Sequence, residues 1–194
     1  MAMRICLFCG SRHGADPRYR NAATRFGELA GAAGVELIYG GGHVGLMGAA
    51  ADAAMMSGGR VVGLIPARLL EREVGHRAIT ELIVTRDMFE RKQQMIDRAD
   101  AFVVLPGGLG TLDELLEVVT LRQLNYHDKP IILVNLAGYW DPWLAMVDRV
   151  IEEGFAAPSA RTLQRVVDDV DDVLPALGLR QPRRAALRAA QGGD

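Results

Sequence analysis

Residues 101–119 read AFVVLPGGLGTLDELLEVV, and the order of chemistry within them decides the fold. Residues 101–105 are a short unbroken apolar run, and the proline and glycines that follow supply turn chemistry. From Thr111 onward the apolar residues fall three and four apart, the spacing of a helix. An apolar strand, a glycine turn and a helix in that order form the first half of a parallel crossover. Working outward, residues 4–9, 36–39, 60–65, 82–85 and 130–135 also predict strands, with a weaker one at 164–167. Helical spacing covers 17–33, 46–57, 87–98, 111–124 and 142–153. Asp16-Pro17 and Asp141-Pro142 each set a capping acid before a proline at the first helical position. The alternation predicts an α/β fold, a doubly wound parallel sheet of Rossmann-like type with helices on both faces. One domain is expected over residues 1–179, followed by an arginine-rich, flexible tail over 180–194. The acidic run Asp168, Asp169, Asp171, Asp172 lacks the spaced oxygens of a calcium loop and suits the start of a short last helix.

Composition narrows the function. The 194 residues are 49% hydrophobic and 24% charged, which is ordinary for a globular domain and too apolar for a disordered chain. Lys+Arg 22 against Asp+Glu 24 leaves a net charge of −2, without the basic excess that nucleic-acid backbones demand. No apolar stretch has the length of a membrane span and no signal peptide is expected, so the chain reads as cytoplasmic. Cys6 and Cys9 form a C-x-x-C, but strand alternation sends them to opposite faces, so inert core thiols are expected. The histidines His13, His43, His76 and His127 lack helical zinc-site spacing, and no metal site is expected from them.

Three glycine-bearing loops follow strands and precede helices: CGSRHG at 9–14, YGGGHVGLMG at 39–48 and LPGGLGTLDE at 105–114. In open α/β sheets ligands bind beyond the carboxyl ends of the strands, where bare backbone N–H groups and a helix N-terminus attract anions. Three such loops on one edge predict a phosphate-bearing ligand. Gly40, Gly42 and Gly45 spell G-x-G-x-x-G, yet the next strand ends VVGLIPAR without the acid a dinucleotide ribose needs. No Lys-Ser or Lys-Thr follows either glycine loop, so a Walker loop is excluded. Thr111-x-x-Glu114 fits two readings: a capping box, or a carboxylate beside the ligand. Asp87-x-x-Glu90 carries the same ambiguity, with Arg91 and Lys92 on a solvated face or facing the anion.

At PGGLGTLDE the chain resembles the Lonely Guy family, the cytokinin riboside 5′-monophosphate phosphoribohydrolases, whose signature is P-G-G-x-G-T-x-x-E. The resemblance extends through RICLFCGSR, ELIYGGGHVGLMGAAADAA, RDMFERKQQM, LRQLNYHDKP and GYWDPWLAMVDRVIEEGF. It implies hydrolysis of the N-glycosidic bond of an adenine-type nucleoside 5′-monophosphate by a homodimer without a cofactor. It implies Arg91 and Glu114 as the catalytic pair, with Gly107, Gly108, Leu109, Gly110, Thr111, Leu112 and Asp113 forming the phosphate loop. Ser11, Gly41, Gly42, Glu73, Met88, Lys92 and Thr120 would complete the substrate pocket. Phe89 stands where many relatives carry His. Members are often labelled lysine decarboxylases, but the two lysines, Lys92 and Lys129, offer no good Schiff base: Lys129 opens a strand at the wrong end of the sheet. On this reading Arg91→Ala would lose turnover while leaving stability nearly unchanged. The alternative is a non-catalytic carrier on the same fold, of the kind that binds molybdenum cofactor.

Overall fold

The computed structural model describes residues 2–70 and 75–182. Among them seven strands form one all-parallel sheet: β1 (Arg4–Phe8), β2 (Glu36–Tyr39), β3 (Arg60–Pro66), β4 (Glu81–Thr85), β5 (Ala101–Val104), β6 (Ile131–Val134) and β7 (Arg165–Val167). Their order is β4-β3-β2-β1-β5-β6-β7. The chain builds outward from β1 in one direction, then returns to pair Ile5 with Ala101 and builds in the other. The carboxyl ends of β1 and β5 therefore flank the switch point, where the loops diverge and leave a crevice.

Alternation along β1 sends Ile5, Leu7 and Cys9 into one apolar layer and Cys6 and Phe8 into the other. The first layer is covered by α1 (Pro17–Ala32), α2 (Gly45–Met56) and the short α7 (Val173–Ala176). The second lies under α4 (Met88–Arg98), α5 (Leu109–Gln123) and α6 (Asp141–Glu152), where Phe102, Leu115, Val118 and Trp140 are buried. A one-turn α3 (Ala67–Leu70) follows β3. Both cysteines are free and buried, and burial pushes each thiol well above its ordinary range, as inert core thiols require.

The strands fall where continuous hydrophobicity predicts them; α2, α4 and α6 start one residue away from the expected position and α5 two. Asp16 caps α1 as expected, its carboxylate accepting the Arg18 N–H. Asp141 does not cap α6: it is the first helical residue, and its carboxylate accepts from Asn135, whose own amide oxygen takes the Trp140 N–H. Helix α5 begins at Leu109 with Gly108 as its N-cap, two residues earlier than predicted. Thr111-x-x-Glu114 is therefore not a capping box, because Thr111 already lies inside the helix. Asp87 does cap α4, accepting the Glu90 N–H at 2.9 Å, and Glu90 reaches back to the Arg86 N–H. The acidic run leads into the last helical turns, with Asp169 accepting the Asp171 N–H. No helix among the described residues is long and apolar enough to cross a membrane. Most of the arginine-rich tail lies outside the described residues.

Candidate active site at the sheet switch point

The first and third glycine loops meet backbone to backbone. Gly10 donates its N–H to Pro106 at 3.1 Å and accepts the Leu46 N–H at 3.0 Å, which ties the start of α2 to both loops. Gly107 packs so tightly that a Cβ there would lie 2.1 Å from the Thr111 hydroxyl and 2.8 Å from the Gly10 nitrogen. Any other residue would force the loops apart. Gly108 and Gly110 are the reverse case: a Cβ on either would meet nothing within 4 Å. Their missing side chains leave open space at the first turn of α5.

Gly108, but not Gly110, borders a cleft of about 530 Å³ lined by Gly10, Ser11, Arg12, His13, Tyr19, Gly107, Leu109 and Tyr139, among others. No side chain caps α5, so the first N–H groups of this 15-residue helix remain available to an anion. Arg12 and His13 border the cleft as exposed groups, adding positive or protonatable side chains beside those donors. Tyr139, edge-on to Tyr19, donates its hydroxyl to the Gly107 carbonyl and so fixes the third loop from the β6 side.

One turn into α5, Glu114 is buried against Arg91 of α4, Nη1 to Oε1 3.3 Å, with both side chains less than a tenth exposed. The guanidinium reaches this position because Gly40 has no Cβ, which would sit 2.1 Å from Nη2. Arg91 Nε also donates to the Leu64 carbonyl at 3.1 Å. All three glycine loops thus bear on one small region: two form the cradle, and the second admits the arginine. Arg91 does not lie on an open face, so its removal would take the ion-pair partner from a buried carboxylate. The expectation that Arg91→Ala leaves stability unchanged is corrected on that ground.

The other expected pocket residues separate. Ser11, Gly107, Gly108 and Leu109 border the cleft, and Thr111 is buried directly beneath Gly107. Lys92 is instead held by Asp113 and Glu117 of α5 at 3.0 and 3.1 Å, and Leu112 packs into the core. Gly41 accepts the His76 N–H and Gly42 pairs with Gly75, so both face the segment before β4 rather than the cleft. Met88 borders a second depression with Arg68, Arg86 and Phe89, near the Arg91 guanidinium. Thr120 lies six residues beyond Glu114, roughly 9 Å along the helix, and outside the cleft of this chain. Glu73 lies outside the described residues. Sequence reasoning did not single out Arg12, His13, Tyr19 or Tyr139. The first two stand in the quoted CGSRHG loop and could have been read from it. The tyrosines carry no local motif.

Neither lysine suits a pyridoxal Schiff base, which needs a free amine of lowered pKa. Burial acts to lower Lys92, but its hydrogen bonds to Asp113 and Glu117 outweigh that and hold it raised and charged. Lys129 donates to the Ile96 carbonyl at 2.7 Å, away from the cleft. The fold also gathers His43, His76 and Asp52, which the chain spaces far apart, against the second glycine loop.

Residues 47–177 match the family model described as "Possible lysine decarboxylase". The chain is 47% identical over 158 residues to the rice (Oryza sativa subsp. japonica) probable cytokinin riboside 5′-monophosphate phosphoribohydrolase LOGL2, covering 81% of this chain and 65% of that protein's length. It is 41% identical over 179 residues to the Arabidopsis thaliana cytokinin riboside 5′-monophosphate phosphoribohydrolase LOG1, covering 89% of this chain and 84% of that protein. The molybdenum cofactor binding protein of Rippkaea orientalis superposes with a TM-score of 0.70 over 92% of this chain and 96% of that one. At 20% identity that likeness establishes the shared fold alone. With more than half its length matched by the family model, and identities above 40% to relatives along most of it, the chain belongs to the Lonely Guy family of cytokinin riboside 5′-monophosphate phosphoribohydrolases.

Proposed function

We propose that this protein hydrolyses the N-glycosidic bond of cytokinin riboside 5′-monophosphates, and of AMP, releasing the free base and ribose 5-phosphate. The observation that carries the reading is a buried Arg91–Glu114 pair one helical turn behind an uncapped, glycine-cleared helix start. The 5′-phosphate takes the N–H groups at the start of α5, which holds the ribose over Glu114. As the C1′–N9 bond breaks, its electron pair leaves with the base and positive charge grows on the sugar. The Glu114 carboxylate stabilises that charge and takes a proton from the attacking water, whose oxygen bonds C1′. The proton taken from water passes from Glu114, through solvent, to the departing nitrogen, so the carboxylate is regenerated and the base leaves neutral. Arg91 fixes the carboxylate and meets the substrate from the α4 side.

A homodimer belongs to the same reading. Leu116, Trp143, Met146 and Val150 line an apolar groove between α5 and α6 that a second copy would cover. Free buried cysteines suit a reducing cytoplasm. The test is incubation with N6-isopentenyladenosine 5′-monophosphate and with AMP, followed by chromatography for free base. Base release is expected from both. Tight binding of the monophosphates without base release would replace the hydrolase reading with that of a carrier.

A further inference from the structure

His43, Asp52 and His76 come from three different segments: the second glycine loop, the middle of α2 and the approach to β4. Their ligand atoms all lie within 4.8 Å of one another. His76 Nε2 is 2.7 Å from Asp52 Oδ1, and His43 Nε2 is 3.6 Å from Asp52 Oδ2. The two imidazoles stand 4.1 Å apart, centroid to centroid. His76 is only 3% exposed and its Nδ1 has no hydrogen-bond partner. His43 and Asp52 are half exposed, so the cluster is closed on the protein side and open to solvent on the other.

Core packing does not explain this group. Desolvating an imidazole is costly and a leucine would fill the same space without that loss; the nitrogen turned to the cluster is Nε2, while Nδ1 is unpaired with or without a ligand. A hydrogen bond to Asp52 accounts for His76 but leaves a second imidazole converging on the same carboxylate. We propose that His43, Asp52 and His76 form a binding site for a zinc-class divalent ion, which pins the second glycine loop to α2 and to the segment before β4. Two imidazoles and one carboxylate are the donor set of such ions, with a coordination position left for water, whereas magnesium and calcium want oxygen. Ligand bonds of about 2.0–2.1 Å require donor atoms roughly 3.3 Å apart, so the observed separations need shifts on the order of 1 Å, mostly in exposed His43. The site is separate from the cradle at the α5 N-terminus. Through Gly40, which stands against Arg91, it would stiffen the loop that admits the arginine.

The test uses metal-stripped full-length protein titrated with zinc, cobalt(II) and magnesium. One zinc per chain, a melting temperature that rises with zinc, and the visible absorption of nitrogen- and oxygen-ligated cobalt are expected; magnesium should do nothing. His43→Gln and Asp52→Asn each alter a half-exposed side chain, leave the core intact and should weaken zinc by roughly tenfold or more with loss of the cobalt spectrum. His13→Gln, outside the cluster, should keep both. Absence of zinc binding, or binding that survives both His43→Gln and Asp52→Asn, overturns the proposal. These readouts are independent of base release, so they stand or fall apart from the catalytic reading.

Discussion

At the N-terminal edge of the sheet Arg4 holds Asp100 in a two-pronged contact at 2.7 and 3.1 Å, and Arg60 bridges Glu36 and Glu81 at 2.8 and 2.6 Å. These side chains are 23–50% exposed. At the opposite edge of the same strands Arg91 and Glu114 are paired at 3.3 Å with less than a tenth of either exposed, beside backbone donors that no side chain caps. Exposed pairs of the first kind contribute about 0–1 kcal/mol each and give way without consequence. A buried pair costs the desolvation of two ions and returns little stability over an apolar replacement, so the fold alone gives no reason to keep it. One edge spends its charges on solvent-screened neatness; the other keeps a buried carboxylate and bare N–H groups where a phosphate ester would lie. The contrast supports the proposal that the chemistry takes place at the switch point.

Arg91→Ala should have the largest effect. It leaves Glu114 buried without its guanidinium, so unfolding free energy should fall by about 3–5 kcal/mol, measured by denaturant titration, and base release should fall with it. A loss below ~1 kcal/mol would put Arg91 in the same class as Arg4. Glu114→Gln comes next. Glutamine preserves shape and still accepts from Arg91, but it carries no charge for the developing oxocarbenium ion. Base release should drop by about 100-fold or more in a folded protein that still binds AMP, read from turnover and melting temperature on one preparation. Since Gly108, not Thr111, caps α5, helix capping offers no competing explanation for such a loss.

The glycines sharpen the contrast within the cradle itself. Gly110→Ala places a methyl where no protein atom lies within 4 Å, and Cβ atoms at a helix start lean toward its N-terminus. Stability should hold or rise by up to ~1 kcal/mol, while affinity for the monophosphate, measured by calorimetry, weakens roughly tenfold. Gly107→Ala should do the opposite, costing stability first, because its methyl meets Thr111 and the Gly10 backbone. The smallest effect belongs to the N-terminal edge. The hydrogen bond from Arg4 holds the Asp100 carboxyl below its ordinary range. That contribution is complete above the unfolded carboxylate value and fades as pH falls through the lowered one. Asp100→Asn should cost at most ~1 kcal/mol near neutrality, with the difference from the parent protein vanishing in acid.

Much of this was legible beforehand. Runs such as AFVVL and IILV are apolar on both faces, as a covered parallel strand requires, so the existence of the strands and their parallel sheet followed, though not their order in it. The three loops were legible because glycine is expensive inside ordered structure unless something needs the space. What escaped was set by contact between distant segments. The start of α5 was placed too late because a Ser/Thr-x-x-Glu pattern does not say whether its first residue opens a helix or already lies inside one. The burial of Arg91 depends on the missing Cβ of Gly40, a relation no local window contains. Lys92 reads as a pocket cation until Asp113 and Glu117 are seen to face it from α5. His43, Asp52 and His76 share no spacing signal, since three elements deliver one ligand atom each.

On the proposed reading the glycine-cleared start of α5 binds a 5′-phosphate and thereby sets the sugar over Glu114. The most direct measurement compares kcat/KM for base release from N6-isopentenyladenosine 5′-monophosphate and from the same nucleoside without its phosphate. Several charge-assisted hydrogen bonds of about 1.5–3 kcal/mol each are lost in the second case, so the monophosphate should be preferred by at least ~100-fold. Equal efficiency with both would contradict the claim, because the cradle would then hold nothing the reaction needs.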